Sequence, residues 1–256
     1  MTKSFTLYTF AMSHYSEKIR WTLDNTRIPY REVCLTPAFH MSTALRLGRR
    51  AKTTLPVLKV PSGAAIQDSA RILDWLEKNP ALPLIPSELR IDVRAVEERF
   101  NAIGKDVARF LYQASFGSGD EHILKLWTDH ASPLQAGVIR RFYPVIRWAF
   151  KRKLNINKRS AGRAQIRIGQ EIDWLERQLS SGGDYLVGQR FTVADITAAS
   201  LLAPLACPKE HPVYGDLAFK TAMSQAIAPW RDRSALTWVR KMYEQHRGQM
   251  SGGVQL

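Results

Sequence analysis

Residues 5–25 read FTLYTFAMSHYSEKIRWTLDN. The first six, Phe5 to Phe10, are mostly β-branched or aromatic and read as a short strand. Ser13 then stands at a helix N-cap position, with Glu17 in the first turn. Ile19, Trp21 and Leu23 give the helix an apolar face that ends near Asn25. The pattern of strand and helix then repeats. Tyr30–Leu35 (YREVCL) alternates and reads as a second strand, and Pro37–Leu47 reads as a short helix before the basic turn GRRAK. Residues 55–60 (LPVLKV) form a third strand, and the turn PSG at 61–63 leads to a fourth at Ala64–Ile66. Turn chemistry makes that pair a hairpin. Asp68 starts a helix with Ile72, Leu73 and Leu76 on one side, which stops before Pro80. The order β-α-β-α-β-β-α argues for an α/β unit.

Beyond it the period changes. The stretch PALPLIPS at 80–87 holds three prolines and cannot continue a helix, so it reads as a linker. Val93, Val96, Phe100, Ile103, Val107 and Phe110 step by threes and fours, a helical stripe. Ser132–Pro133 is a cap followed by a first-turn proline, and the stripe Leu134, Val138, Phe142 is helical until Pro144 bends it. A long helix over 160–181 carries Ile168, Ile172, Leu175 and Leu179 and stops at Gly182–Gly183. Thr192-Val-Ala-Asp195 is a capping box, with Phe191 and Ile196 as its staple, so Asp195 reads as structural. A last helix carries Ala235, Trp238, Val239 and Met242. The expected organisation is an α/β domain over 1–80, a linker over 81–87 and an all-helical domain over 88–256.

Composition narrows the function classes. The 256 residues include 37 Lys and Arg against 23 Asp and Glu, a formal charge of +14. Apolar residues make up 45%, enough for a sizeable core. Two cysteines, Cys34 and Cys207, make no disulfide framework and no zinc pattern, so a reducing compartment and no metal are expected. No run approaches the length of a membrane span, and the N-terminal stretch has no apolar core before a small-residue cleavage site; a cytoplasmic protein is the expectation. Gly-rich phosphate loops and the nucleophile elbow of hydrolases are missing.

Three motifs in this layout resemble the glutathione transferase superfamily. SHYSEKIRW at 13–21 opens the first helix where thioredoxin-like proteins carry CxxC. Leu55-Pro56 enters the third strand and is followed 13 residues later by Asp68-Ser69. FTVAD at 191–195 supplies the capping box of the helical half. Ser13 resembles the theta and zeta classes, whereas EKIR resembles omega-like proteins, which have cysteine at that place. Two departures stand out. Asp68 replaces the commoner glutamate, and residues 130–170 are longer and more basic than usual.

The resemblance implies a thioredoxin-like domain followed by an all-α domain, a homodimer, and glutathione as co-substrate. It further implies a detoxifying transferase acting on a small hydrophobic electrophile. A free thiol is only a few per cent ionised near pH 7. A hydroxyl donor with a helix N-terminus behind it favours the anion. Ser13 is the candidate donor, with Ser16 and Tyr8 as rivals and a plain N-cap as the alternative role. In the family the Leu55–Pro56 bond is cis and turns the Leu55 backbone toward the cysteinyl part of glutathione. Asp68 pairs with the γ-glutamyl ammonium, and Ser69 at a helix start takes its carboxylate. Lys52, ahead of His40, Arg49 and Arg50, is the candidate for the glycyl carboxylate, and Val107, Leu111 and Tyr112 are candidates for the electrophile site. Isomerase, peroxidase and thiol-exchange variants use the same thiolate. Redox exchange is disfavoured by serine at both 13 and 16.

A second reading makes the chain a non-catalytic binding module. From His130 to Gln170 there are ten Lys/Arg and no Asp/Glu, interleaved with Phe142, Tyr143, Trp148 and Phe150. Such a segment fits nucleic acid, an anionic membrane surface or an acidic substrate, or is a solvated helix face whose aromatics point inward.

Overall fold

Strand β1 (Phe5–Thr9) has a neighbour on each side and forms the centre of a small mixed sheet. Its parallel partner is β2 (Tyr30–Cys34), with Thr9 opposite Cys34; its antiparallel partner is β3 (Val57–Lys59), with Tyr8 opposite Val57. Strand β4 (Ala65–Gln67) closes the hairpin on β3. The Val60 N–H donates to the Ala64 carbonyl at 2.9 Å, and Gly63 takes the φ of +93° that the turn needs. A short fifth strand, β5 (Val254–Gln255), runs parallel to β2, giving the order β4-β3-β1-β2-β5. Two residues carry no readable period, so β5 was not expected. The computed structural model describes residues 4–48, 53–78, 84–117, 119–247 and 254–255.

Three helices accompany the sheet: α1 (His14–Asn25), α2 (His40–Gly48) and α3 (Ser69–Glu77). Leu7, Val57 and Leu58 of the sheet are buried, as are Ile19, Trp21 and Leu23 of α1 and Ile72, Leu73 and Leu76 of α3. These side chains are the apolar positions of the sequence reading. The linker expected over 81–87 lies partly outside the described residues.

The rest is helical: α4 (Arg90–Ser115), α5 (Asp120–Thr128), α6 (Pro133–Arg141), α7 (Tyr143–Lys153), α8 (Lys158–Ser180), α9 (Val193–Ala206), α10 (Leu217–Ile227) and α11 (Ser234–His246). The chain forms two compact units, one of residues 1–84, 124–146 and 250–256, the other of 85–123 and 147–249. In the second, α4 packs on α8 and α9, and α11 packs on both of those. The α4 stripe from Val93 to Val107 is buried, and Phe110 meets Trp230 edge-on at 5.2 Å. Helix α9 is buried on every side, in keeping with its largely apolar sequence. No helix among the described residues is long and apolar enough to cross a membrane.

Two expectations are corrected here. The helix breaks at Phe142 rather than at Pro144, which sits in the first turn of α7, where a missing N–H costs nothing. Ile139 is the buried residue of α6, whereas Leu134 and Phe142 are exposed, so the stripe 134–138–142 does not face the core. Helices α5 and α10 are further elements that the sequence reading does not contain; each is short, of 9 and 11 residues.

Asp195 is a cap. Its carboxylate accepts the Thr192 and Leu186 N–H groups, each at 2.8 Å. Burial pushes its pKa up to about 6 in spite of these donors. The folded chain therefore holds this proton more tightly than the unfolded chain. Its contribution is fully present below the ordinary aspartate range and is lost as pH rises through about 6. Asp195→Asn keeps an acceptor and removes the titration. Urea midpoints should shift in favour of the wild type, relative to this variant, as pH falls from 6 to 4. A constant difference would show that Asp195 does not titrate there.

Candidate functional site

Strand register brings the candidate residues to one end of the sheet. Tyr8 lies opposite Val57, and Val57 opposite Gln67. The carboxyl ends of β1 and β4 and the amino end of β3 therefore lie side by side. The Asp68 N–H donates to the Pro56 carbonyl at 3.1 Å, and the Leu35 N–H to the Thr9 carbonyl at 2.9 Å. Helices α1 and α3 both start here, so two positive helix ends serve the same edge. In an α/β sheet this is where ligands bind.

Ser13 caps α1. Its hydroxyl oxygen accepts the Ser16 N–H at 3.2 Å, and its own N–H donates to the Phe10 carbonyl at 2.9 Å. The side chain is half-buried. Among the described residues nothing takes the hydroxyl hydrogen, so cap and donor are compatible roles on one oxygen. Ser16 differs. It is fully buried, and its hydroxyl accepts the Phe10 N–H at 3.4 Å, facing the strand end. Tyr8 is a half-buried residue of β1.

The Leu55–Pro56 peptide bond is cis. Asp68 is exposed and caps α3, its carboxylate accepting the Ala70 N–H at 3.0 Å. Its φ of +91° is one that residues with a Cβ rarely adopt. Such strain gathers at ligand sites and persists because the surroundings impose it. Ser69 is the first residue of α3 and is buried. His40 meets Phe10 edge-on at 5.9 Å. Lys52, Arg49 and Arg50 lie outside the described residues. Among the described residues no group of three His, Cys, Asp or Glu is placed to hold a metal ion.

A buried polar network lies behind the Phe10–Ser13 turn, and the sequence reading missed it. Arg20 donates to Glu32 at 2.6 Å, to Glu17 at 3.2 Å and to the Phe10 carbonyl at 3.1 Å. Thr9 donates to the same Glu32 oxygen at 2.5 Å. The available signal was an Arg three residues after a Glu in α1, with a lone Glu in β2. Burial works against the Arg20 charge, but the Glu32 and Glu17 carboxylates outweigh it and raise its pKa. Cys34 lies 3.5 Å from the Thr9 hydroxyl. Burial, with Glu32 adding to it, raises the Cys34 pKa and leaves a neutral thiol.

In the helical unit Val107 and Leu111 are buried in the face of α4. Tyr112 is half-buried, stacked on Phe116 at 5.3 Å and edge-on to Phe150 at 4.7 Å.

The model of the glutathione S-transferase N-terminal domain matches residues 7–84, and that of the C-terminal domain matches residues 160–244. No curated protein matches the sequence. Among solved structures, the chain is similar to a glutathione S-transferase from Methylobacterium radiotolerans JCM 2831 in complex with glutathione sulfonate. Identity is 19%, coverage 99% of this chain and 97% of that one, and TM-score 0.63. It is also similar to one from Ceriporiopsis subvermispora in complex with glutathione, with identity 18%, coverage 95% and 97%, and TM-score 0.62. A beta-etherase from Sphingobium sp. strain SYK-6 matches with identity 19%, coverage 94% and 99%, and TM-score 0.60. At these identities the likeness is one of fold.

Proposed function

The chain belongs to the glutathione S-transferase superfamily, and we propose that it binds glutathione at the Ser13 end of its sheet and activates the thiol for attack on a small hydrophobic electrophile. The observation that carries this reading is the Ser13 hydroxyl. Its oxygen is fixed by the Ser16 N–H at the start of α1, and its hydrogen is not engaged by any described residue. A thiolate accepting that hydrogen gains a charge-assisted bond and the favourable end of a helix dipole. Each unit by which the thiol pKa falls needs about 1.4 kcal/mol of preference for the anion, and these two interactions are of the right size for one to two units. The thiol proton leaves to solvent. The sulfur then forms the new bond to the electrophilic carbon, and the leaving group departs with its electron pair. Holding both reactants supplies the remaining acceleration.

The other parts of glutathione fall to the remaining candidate residues. The Leu55 backbone beside the cis bond pairs with the cysteinyl unit, Asp68 takes the γ-glutamyl ammonium, Ser69 takes its carboxylate, and Lys52 takes the glycyl carboxylate. The strained backbone of Asp68 supports its part in this set. Among the candidates for the electrophile, Tyr112 has accessible surface, whereas Val107 and Leu111 of the same helix are buried. A cytoplasmic homodimer engaged in detoxification belongs to the same reading.

Two measurements test it. The protein should be retained on immobilised glutathione and should turn over at least one member of a panel of aryl halides, epoxides and aryl ethers. Retention without turnover would favour the binding-module alternative. Ser69→Ala should weaken glutathione binding by about 1–3 kcal/mol with little change in thermal stability. Unchanged affinity by calorimetry would remove Ser69 from the clamp.

A further inference from the structure

The glutathione reading makes no use of helices α6 and α7, where apolar side chains face solvent. Leu134 is 78% exposed, Val145 62%, Trp148 61% and Phe142 52%. Within α7, Val145 precedes Trp148 by three residues and Trp148 precedes Arg152 by four. On a helix such neighbours share a face. Large apolar groups exposed together on one surface mark a binding site. Along the sequence this segment carries one sign of charge: residues 130–170 hold ten Lys/Arg and no Asp/Glu. Arg147 and Arg167 are paired with Asp120 and Asp106, but the exposed Arg140, Arg141 and Arg152 have no acidic partner among the described residues.

We propose that the Val145–Trp148–Arg152 face of α7 docks the protein on an anionic lipid surface. Aliphatic and aromatic side chains flanked by arginines are the composition of an interfacial helix, in which the apolar tips enter the acyl boundary and the cations meet lipid phosphates. Two alternatives fit less well. A nucleic acid would want open ring faces for base stacking. Here the Arg152 guanidinium covers the Trp148 ring at 5.4 Å, the Arg141 guanidinium lies 5.8 Å from the Phe142 ring, and Leu134 and Val145 have no ring to offer. A second copy of this chain meeting the same face would bring like charges together. An anionic membrane accepts both the apolar groups and the cations. This inference is independent of whether the protein turns over glutathione.

The test uses the full-length chain and sedimentation with vesicles of phosphatidylcholine alone or with phosphatidylglycerol. Binding should be confined to the anionic vesicles and should weaken steeply as salt rises. The variant Arg140→Gln/Arg141→Gln/Arg152→Gln should bind roughly a hundredfold more weakly, at about fivefold per cation near the surface. Val145→Ser/Trp148→Ser, on exposed positions, should lose about tenfold or more while keeping every charge. Equal binding to neutral vesicles, or no binding to either kind at low salt, would overturn the proposal. Retention on single-stranded DNA with no vesicle binding would replace it with nucleic acid. A concentration-dependent self-association abolished by Val145→Ser/Trp148→Ser, again with no vesicle binding, would replace it with a second copy.

Discussion

Ser13→Ala is expected to lower turnover with glutathione at pH 7 by roughly ten- to a thousandfold, the range for removing one hydrogen bond to an anion in an active site. Glutathione should still bind, because the proposed clamp consists of Leu55, Lys52, Asp68 and Ser69. The substitution removes almost no volume. It does remove the side-chain cap of α1, so a stability loss of about 0.5–2 kcal/mol accompanies it, and activity must be compared per folded molecule. The pH dependence separates the two roles of this hydroxyl. A lost cap lowers stability at every pH, whereas a lost donor raises the pKa of the bound thiol, so much of the missing rate should return at high pH. The decisive readout is the absorbance of bound thiolate against pH. In the wild type it should rise at lower pH than in Ser13→Ala. Coincident curves would leave Ser13 a cap only. Ser16→Ala is the control: its hydroxyl is buried against the Phe10 N–H, so it should affect stability and leave the thiolate curve in place.

How far the sequence could be read depended on whether the information was local. The first eighty residues are legible because each element carries its own start or stop signal. Ser13 and Asp68 are side-chain caps in the structure, as their residue types and positions suggest. The long α4 stripe is legible because one face is buried along most of its length. The stripe over 134–142 has a helical period and a helix, yet its apolar residues are exposed; periodicity reports that a face exists, and not what covers it. The same limit applies to the candidate site. Ser13, the cis bond at Leu55–Pro56 and Asp68 are brought to one edge by strand register, which follows from the fold. The network behind them joins Arg20 to Glu32, two residues on different elements, and no spacing rule relates them. Nor does the type of residue 68 reveal its positive φ.

Arg20 is therefore the position where structure adds most to the sequence, and its removal should have the largest effect on stability. The guanidinium, 8% exposed, bridges Glu17 and Glu32 and also holds the Phe10 carbonyl, which accepts the Ser13 N–H as well. Arg20→Met keeps the stem and deletes the charge. Glu32 then retains the Thr9 hydroxyl and the weak Cys34 thiol donor, and a largely buried carboxylate is left without its cation. Breaking a buried ion pair from one side costs about 3–5 kcal/mol, a large share of the roughly 5–15 kcal/mol that holds a domain together. Arg20→Lys keeps a charge without the fork that serves three acceptors at once, and should fall between the two. The double variant Arg20→Met/Glu32→Gln distinguishes a lost ion pair from lost packing. Neutralising the stranded partner should recover a substantial part of the loss, whereas a packing defect would be additive. Urea midpoints of these proteins and of Glu32→Gln alone are sufficient. If Arg20→Met lies within about 1 kcal/mol of the wild type, the network contributes no more than a surface pair does. In the surviving folded fraction of Arg20→Met the Phe10–Ser13 turn has lost one fastening, and the thiolate curve should move toward that of Ser13→Ala. Such a shift, absent from a destabilised variant elsewhere in the core such as Leu73→Ala, would make Arg20 the residue that positions the Ser13 hydroxyl.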